Sequence, residues 1–198
     1  MFPVTNLLLI LSSPSGAGKT TLSQQLLAHD SQIKLSVSAT TRPKRQGEVD
    51  GKDYLFLSEE KFQQDMKEGE FLETARIFDA FYGTPKKTVN ALLEQGMDVL
   101  FDVNWQGADA ITEACPGRCV RVFILPPSLE VLEERLRARA LDAPEVIEKR
   151  LLEAEKEIAR WPTYDYIIIN DDLNEALGDL TAIVRAERLK AQRFHAHA

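Results

Sequence analysis

The stretch from Leu7 to Thr21, LLLILSSPSGAGKTT, constrains this chain more than any other. An unbroken apolar run, Leu7 to Leu11, gives way to small and polar residues, and Gly18-Lys19-Thr20-Thr21 leads into a helical pattern. The order predicts a buried strand, a loop over Ser13, Pro14, Ser15, Gly16, Ala17 and Gly18, and then a helix. Such a loop turns successive backbone N–H groups and a helix N-terminus toward an anion. Lys19 adds a point charge, and the Thr20 hydroxyl is placed to meet a magnesium ion. The pattern G-x-x-x-x-G-K-[ST] is met except at its first position, where Ser13 stands. The alternative is a tight turn that uses its glycines only for positive φ, but a mere turn needs neither the lysine nor the hydroxyl. The loop points to a nucleoside triphosphate and leaves hydrolase, switch and kinase all open.

The 198 residues are 44% hydrophobic and 28% charged, which suits one domain with a substantial core. A formal net charge of -7 argues against a broad nucleic-acid or membrane surface, so phosphate chemistry must rely on local clusters of arginine and lysine. No apolar run approaches the ~20 residues needed to span a bilayer, and no secretory signal is recognisable. A cytoplasmic protein is expected. Cys115 and Cys119, spaced C-x3-C, fit neither a redox pair nor half of a zinc site and are expected to be reduced and structural. His29, His195 and His197 offer no ligand cluster.

Along the chain, a helix is expected from Thr20 to Ala28 and a strand with period 2 over Ile33–Ser38. A basic loop follows, Thr40 to Gly47, and then a short strand at Asp53–Leu57. Ser58 with Glu59 and Glu60 marks a helix start, and Glu70–Ile77 reads as extended. Tyr82-Gly83-Thr84-Pro85 reads as punctuation, with Thr84 as N-cap and Pro85 opening a helix to Gly96. Val99–Val103 and Val120–Leu125 are apolar strands suited to a buried parallel sheet. Ser128 caps a helix carrying Leu129, Leu132 and Leu136, and Asp142 with Glu145 resembles a capping box for the next, which runs to Trp161-Pro162. Tyr166–Ile169 is a last buried strand before a C-terminal amphipathic helix. Alternating strands and helices predict a three-layer α/β/α fold with a mostly parallel sheet.

Two constellations carry chemistry. Asp102, a carboxylate closing an apolar strand on the sheet edge that holds the loop, joins Lys19 and Thr20 as a candidate magnesium ligand, directly or through water. Taken alone it reads equally well as a turn or cap residue. The second constellation is Arg42 and Arg45 with Tyr54 and Tyr82. Arginine forks match phosphate oxygens and tyrosine hydroxyls complete the shell. Composition alone favours a solvated charged loop with two core tyrosines.

Ser36-Val37-Ser38-Ala39-Thr40-Thr41-Arg42 and Gly47-Glu48-Val49-Asp50-Gly51-Lys52-Asp53-Tyr54 resemble the acceptor segment of the guanylate kinases. Gly69–Glu73, Tyr82-Gly83-Thr84, Asp102–Gly107, Pro126-Pro127-Ser128 and Ile169–Leu173 continue the resemblance in order, over nearly the whole chain. It implies a nucleoside monophosphate kinase core (1–37, 85–127 and 163–198), a small, partly β GMP-binding insertion (38–84) and a helical lid (128–162). It also implies transfer of the γ-phosphoryl group of ATP, carried with Mg2+, to GMP and to dGMP. By resemblance, Arg42, Arg45, Tyr54 and Tyr82 hold the GMP phosphate, and Ser38, Glu73, Thr84 and Asn104 read guanine. Guanine presents N1–H and N2–H2 donors, which an ionised Glu73 can accept together and for which adenine has no counterpart. Residues Ser13 to Thr21 take the ATP phosphates, and Asn170 contacts adenine. Arg135, Arg139 and Arg150 match lid and catalytic arginines, although a salt-bridged helix among neighbouring glutamates would use the same residues.

Three positions depart from the family. Ser13 replaces a loop glycine, Asn104 stands where aspartate is usual, and Ala138-Arg139-Ala140-Leu141 lacks a glycine after the arginine. Asn104 is expected to weaken GMP binding or its discrimination against IMP. The rival readings are a non-catalytic guanylate-kinase-like protein-binding module and a related kinase of a sugar phosphate. A GTPase would need N-K-x-D and D-x-x-G elements, which are lacking. The expected partners are ATP and GMP, with no nucleic acid or membrane; the oligomeric state is open.

Overall fold

The computed structural model describes residues 5–45, 47–77, 79–138 and 144–194. Its first half runs β1 (Leu8–Ser12), α1 (Lys19–His29), β2 (Ile33–Leu35), β3 (Ala39–Thr40), β4 (Leu55–Phe56), α2 (Glu59–Lys67), β5 (Phe71–Ile77), β6 (Ala80–Pro85) and α3 (Lys86–Glu94). The second half continues β7 (Asp98–Asp102), α4 (Trp105–Ala114), β8 (Cys119–Leu125), α5 (Leu129–Ala138), α6 (Pro144–Ile158), β9 (Tyr166–Ile169) and α7 (Leu173–Arg188).

Every residue of β1 is buried, as a strand covered on both faces requires. Its side chains alternate between two cores. Leu7, Leu9 and Leu11 pack with Leu22 and Leu26 of α1 and with Ala176, Leu180 and Val184 of α7. Leu8 and Ile10 pack on the other face with Val89 of α3 and Ala108 and Ile111 of α4. The parallel sheet has the order β2-β7-β1-β8-β9. Helices cover both faces, and β1 lies where the connections diverge. A crevice outside the carboxyl end of such a strand is where α/β sheets place ligands. In that register Leu11 lies beside Asp102, so the loop after β1 and the end of β7 share one edge.

A second sheet, β4-β3-β6-β5, stands on that edge. Strands β5 and β6 form an antiparallel hairpin, and β3 joins β6 antiparallel and β4 parallel. Phe62 of α2 fixes it, stacking 4.5 Å from Phe71 and 5.6 Å from Phe81 between ring centroids. At the opposite end of the main sheet, Asp98 takes a hydrogen bond from the Leu7 N–H at 2.6 Å and another from Arg188 Nε at 2.7 Å. Arg188 also reaches Asp30 at 2.6 Å. One arginine of α7 thus ties β7 and the end of α1 together.

Several expectations need correcting. Residues 80–85 are a strand, not punctuation, and α3 starts at Lys86 with Pro85 at its N-cap and no side-chain cap. Thr84 does not cap it, because its hydroxyl donates to Glu73 across the hairpin at 2.8 Å. The strand expected over 33–38 pairs only through Leu35, since the chain then leaves for the second sheet. Helix α4, which the sequence reading passed over, begins at an Asn104 cap. Helix α6 ends at Ile158, and Trp161–Thr163 forms a 3-10 turn. Ser58 and Asp172 do cap α2 and α7, accepting from Lys61 N and from Asn174 N and Glu175 N. Both cysteines are free, and burial pushes the Cys119 thiol up to about 12. Arg139, Asp142 and the two later histidines lie outside the described residues.

Candidate active site

Gly16 and Gly18 take φ of 97° and 95°, a region that side chains rarely enter. Space forbids a side chain there as well. A Cβ on Gly16 would meet Leu132 Cδ1 at 2.9 Å, and one on Gly18 would run into the Asn170 carboxamide. Asn170 Nδ2 donates to the Ala17 carbonyl at 2.7 Å, so the loop is braced from behind by the end of β9. Helix α1 opens at Gly18 with no side-chain cap and no acid in its first turn. Its first amides and its dipole therefore face the cavity in front, the arrangement an anion binds.

That cavity, about 630 Å³, is lined by Ser13 to Gly16, Gly18, Lys19 and Thr20, by Asn104 and Trp105 at the start of α4, and by Lys149, Arg150, Glu153 and Glu157 of α6. Lys19 forms an ion pair with Asp102, whose carboxylate also accepts from Ser23 Oγ at 3.4 Å. Burial draws the Lys19 ammonium down to about 8, against the opposing charge of Glu157. Burial pushes the Glu157 carboxyl up to about 7, with Lys19 pulling it back. A partly exposed lysine and a half-buried glutamate thus share a site whose guest is an anion. Behind the loop, a second hollow of about 380 Å³ is bounded by Thr21, Arg135, Ala138, Asn170 and Asp171. Arg135 is held there by the Asn170 carbonyl, at 3.0 Å.

A third cavity, about 230 Å³, lies between the two sheets. It is lined by Ser38, Tyr54, Glu73, Tyr82, Asp102 and Asn104, and Lys19 forms part of its wall. Lys19 and Asn104 therefore belong to both this cavity and the larger one. Glu73 is buried, with its carboxyl raised by desolvation and drawn back by the Thr84 hydroxyl and amide. Thr84 is fully buried behind it. Arg42 is gripped by both oxygens of Glu48 at 2.6 and 3.0 Å, and its guanidinium lies 5.3 Å from the centroid of the Tyr54 ring. Tyr54 meets Tyr82 edge-on at 6.0 Å.

The structure thus brings together Lys19, Thr20, Asp102 and Arg150, and separately Ser38, Tyr54, Glu73, Tyr82 and Asn104, with Arg42 against Tyr54. Arg45 is exposed, and its backbone N–H donates to Glu48 at 2.7 Å. Arg137, which neighbours the lid arginines, makes an exposed pair with Glu133. Sequence reasoning missed Glu48, Trp105, Glu153 and Glu157. For Glu157 the only signal was its place on α6 two turns after Arg150, since i and i+7 share a face.

For magnesium, Thr20 and Asp102 supply two hard oxygen groups beside the phosphate loop. That matches the metal's preference for few protein oxygens plus phosphate and water. Among the described residues no cluster of three or more His, Cys, Asp or Glu side chains could hold a metal unaided.

The guanylate kinase family model matches residues 5–187. A guanylate kinase of Paramagnetospirillum magneticum is 54% identical over 187 residues, covering 94% of this chain and 87% of its own. One from Maricaulis maris is 54% identical over 186 residues, covering 94% and 85%. Among solved structures, guanylate kinase from Anaplasma phagocytophilum superposes with a TM-score of 0.82 at 36% identity, over 98% of this chain and 92% of that one. The SH3-kinase fragment of tight junction protein 3 shares the fold alone, with a TM-score of 0.52 at 13% identity over 93% of this chain and 58% of its own. A phosphate loop facing a second, carboxylate-bearing cavity, in a chain so closely related to these enzymes over nearly its full length, places this chain in the guanylate kinase family.

Proposed function

We infer that this chain transfers the γ-phosphoryl group of ATP to GMP, giving ADP and GDP. The observation that carries the reading is the pair of cavities meeting at Lys19, one walled by the phosphate loop and Arg150, the other by Ser38, Tyr54, Glu73 and Tyr82. A single lysine in both walls sits where a phosphoryl group would pass between two guests.

In this reading Ser13 to Thr21 take the triphosphate. Thr20 and Asp102 would hold Mg2+, which would supply positive charge to offset that of the triphosphate. Arg42, Arg45, Tyr54 and Tyr82 fix the acceptor phosphate. Ionised Glu73 takes N1–H and N2–H2 of guanine, while Ser38 is placed to donate to O6. The Thr84 hydroxyl already donates its hydrogen bond to Glu73, so it serves by orienting that carboxylate. No general base is needed, because a nucleotide phosphate with a second pKa of about 6 is already a dianion near neutrality. The protein's part is to position two like-charged groups, screen them with Lys19, Arg135 and Arg150, and exclude water. Residues 38–84 act as the acceptor unit and 128–162 as the lid over the donor.

Among the described residues no helix is long and apolar enough to cross a membrane. Turnover is tested by coupled ADP release with ATP, Mg2+ and a panel of GMP, dGMP, IMP, AMP, UMP and sugar phosphates. GMP and dGMP are expected to support it. A folded sample inactive with GMP would overturn the reading.

A further inference from the structure

Neither of the two main cores includes a described residue of α6. Ile147 and Ala154 of that helix pack instead with Leu132 and Leu136 of α5, in a small core of their own. Yet α6 brings Lys149, Arg150, Glu153 and Glu157 to the wall of the cavity in front of the phosphate loop. Where those charges stand relative to the loop depends on how the C-terminal end of the helix is attached to the main sheet.

That attachment is made at Arg160, in the turn after α6. Its guanidinium lies 4.2 Å from the centroid of the Trp105 ring, and its Nη2 donates to Asp109 Oδ2 at 3.1 Å. Trp105 and Asp109 are four residues apart on α4 and so share one face of it. Asp109 is itself anchored, because its Oδ1 accepts from Arg121 Nη2 of β8 at 2.5 Å. Arg121 in turn lies 4.5 Å from the centroid of the Tyr164 ring. The Arg160 carbonyl accepts from the Thr163 amide and hydroxyl at 3.0 and 2.9 Å, which closes the turn. One carboxylate of α4 therefore joins the end of α6 to the main sheet. The Asp109–Arg160 pair adds little to stability, since both side chains are 41% exposed and exposed ion pairs contribute little to folding. What it fixes is an angle. Arg150 lies ten residues before Arg160, about 15 Å along the helix axis at about 1.5 Å per residue. Over that lever arm a tilt of about 4° moves Arg150 by about 1 Å, and a misplacement of that size can cost on the order of a hundredfold in rate.

We propose that Asp109 and Arg160 are positioning residues for phosphoryl transfer, which pin the end of α6 to α4 and thereby set Arg150 against the phosphate loop. The proposal rests on the reading of that cavity as the triphosphate site. Neither residue touches a substrate; both act through Arg150.

The test is steady-state kinetics of the full chain with ATP, Mg2+ and GMP, with a melting curve for each protein. The variants are Asp109→Asn, Arg160→Gln, Arg160→Lys, Arg150→Gln and the double variant Arg150→Gln/Arg160→Gln. Arg160→Gln should lower kcat about tenfold while the KM for GMP stays within about twofold of wild type and Tm falls by no more than a few degrees. Asp109→Asn should lower kcat less, since the amide oxygen still accepts. Arg160→Lys keeps a cation over Trp105 and should recover part of the loss. Because Arg160 acts through Arg150, the two losses should not multiply: with Arg150→Gln in place, Arg160→Gln should cost less than about twofold more. An unchanged kcat in Arg160→Gln and Asp109→Asn, losses that multiply in the double variant, or a loss that only follows the folded fraction would overturn the proposal alone. A folded wild type inactive with GMP would overturn the functional reading, and the proposal with it.

Discussion

Glu48 holds Arg42 by both carboxylate oxygens, at 2.6 and 3.0 Å, and the same carboxylate accepts the backbone N–H of Arg45 at 2.7 Å. The Arg42 guanidinium also lies over Tyr54 and Phe56, with centroids at 5.3 and 5.8 Å. A long cationic side chain is thus fixed before any phosphate arrives, and the acceptor loop is folded around the same carboxylate. Pre-ordering lowers the entropic cost of binding. Glu48→Gln should therefore raise the KM for GMP by about tenfold, equivalent to about 1.4 kcal/mol, and leave the KM for ATP unchanged. Equal effects on both substrates would mean that Glu48 supports the fold as a whole.

Across the β5–β6 hairpin, Thr84 donates to Glu73, and the pair is buried. Removing the charge of Glu73 removes an acceptor for two guanine donors, and hydrogen bonds to charged groups contribute about 1.5–3 kcal/mol. Glu73→Gln should lower kcat/KM for GMP by one to two powers of ten. Thr84→Val should lower it less, since the carboxylate remains and only its orientation is lost. Both variants are checked by turnover at saturating ATP.

The hairpin also marks the limit of what the sequence tells. The apolar run Leu7–Leu11 and the glycines before Lys19 announce a buried strand and a phosphate loop, and Ser58 and Asp172 announce helix starts, because these signals are local. Tyr82-Gly83-Thr84-Pro85 carries equally local turn signals, yet it is a strand. Long-range pairing with β5 and β3 overrides them, and Thr84 finds its partner eleven residues back at Glu73. Within the site, Lys19, Asp102 and Glu73 were legible from motif and family likeness. Glu157 was not: on a helix rich in glutamate it resembles its solvated neighbours until α6 is laid against the loop.

Arg188 links three chain segments, meeting Asp98 at 2.7 Å and Asp30 at 2.6 Å. Asp98 is buried and would keep only the Leu7 N–H if the arginine were removed. Breaking one side of a buried pair leaves a charge uncompensated. Arg188→Ala should cost about 2 kcal/mol, discounted from the fully buried case because the arginine is partly exposed. That loss should appear as a fall of several degrees in Tm with KM values unchanged, since the clamp lies at the sheet end away from the loop.

Glu157 gives the molecule a pH signature of known sign. Burial raises its carboxyl from the ordinary carboxylate range to about 7, so between roughly pH 4.5 and 7 the folded state binds a proton that the unfolded state has lost. Its contribution to stability is fully present below the unfolded pKa and is lost as the pH rises through about 7. Glutamine cannot ionise, so Glu157→Gln should match the wild-type Tm near pH 4.5 and exceed it at pH 8, measured without nucleotide in a chelating buffer. A triphosphate entering the same cavity brings negative charge toward Glu157 and favours its protonated form further. ATP binding near pH 7.5 should therefore take up protons. Calorimetry in buffers of different ionisation enthalpy will read that uptake, and Glu157→Gln should reduce it. If the two proteins melt alike at every pH and take up equal numbers of protons, the carboxylate is solvated and does not share the site with Lys19.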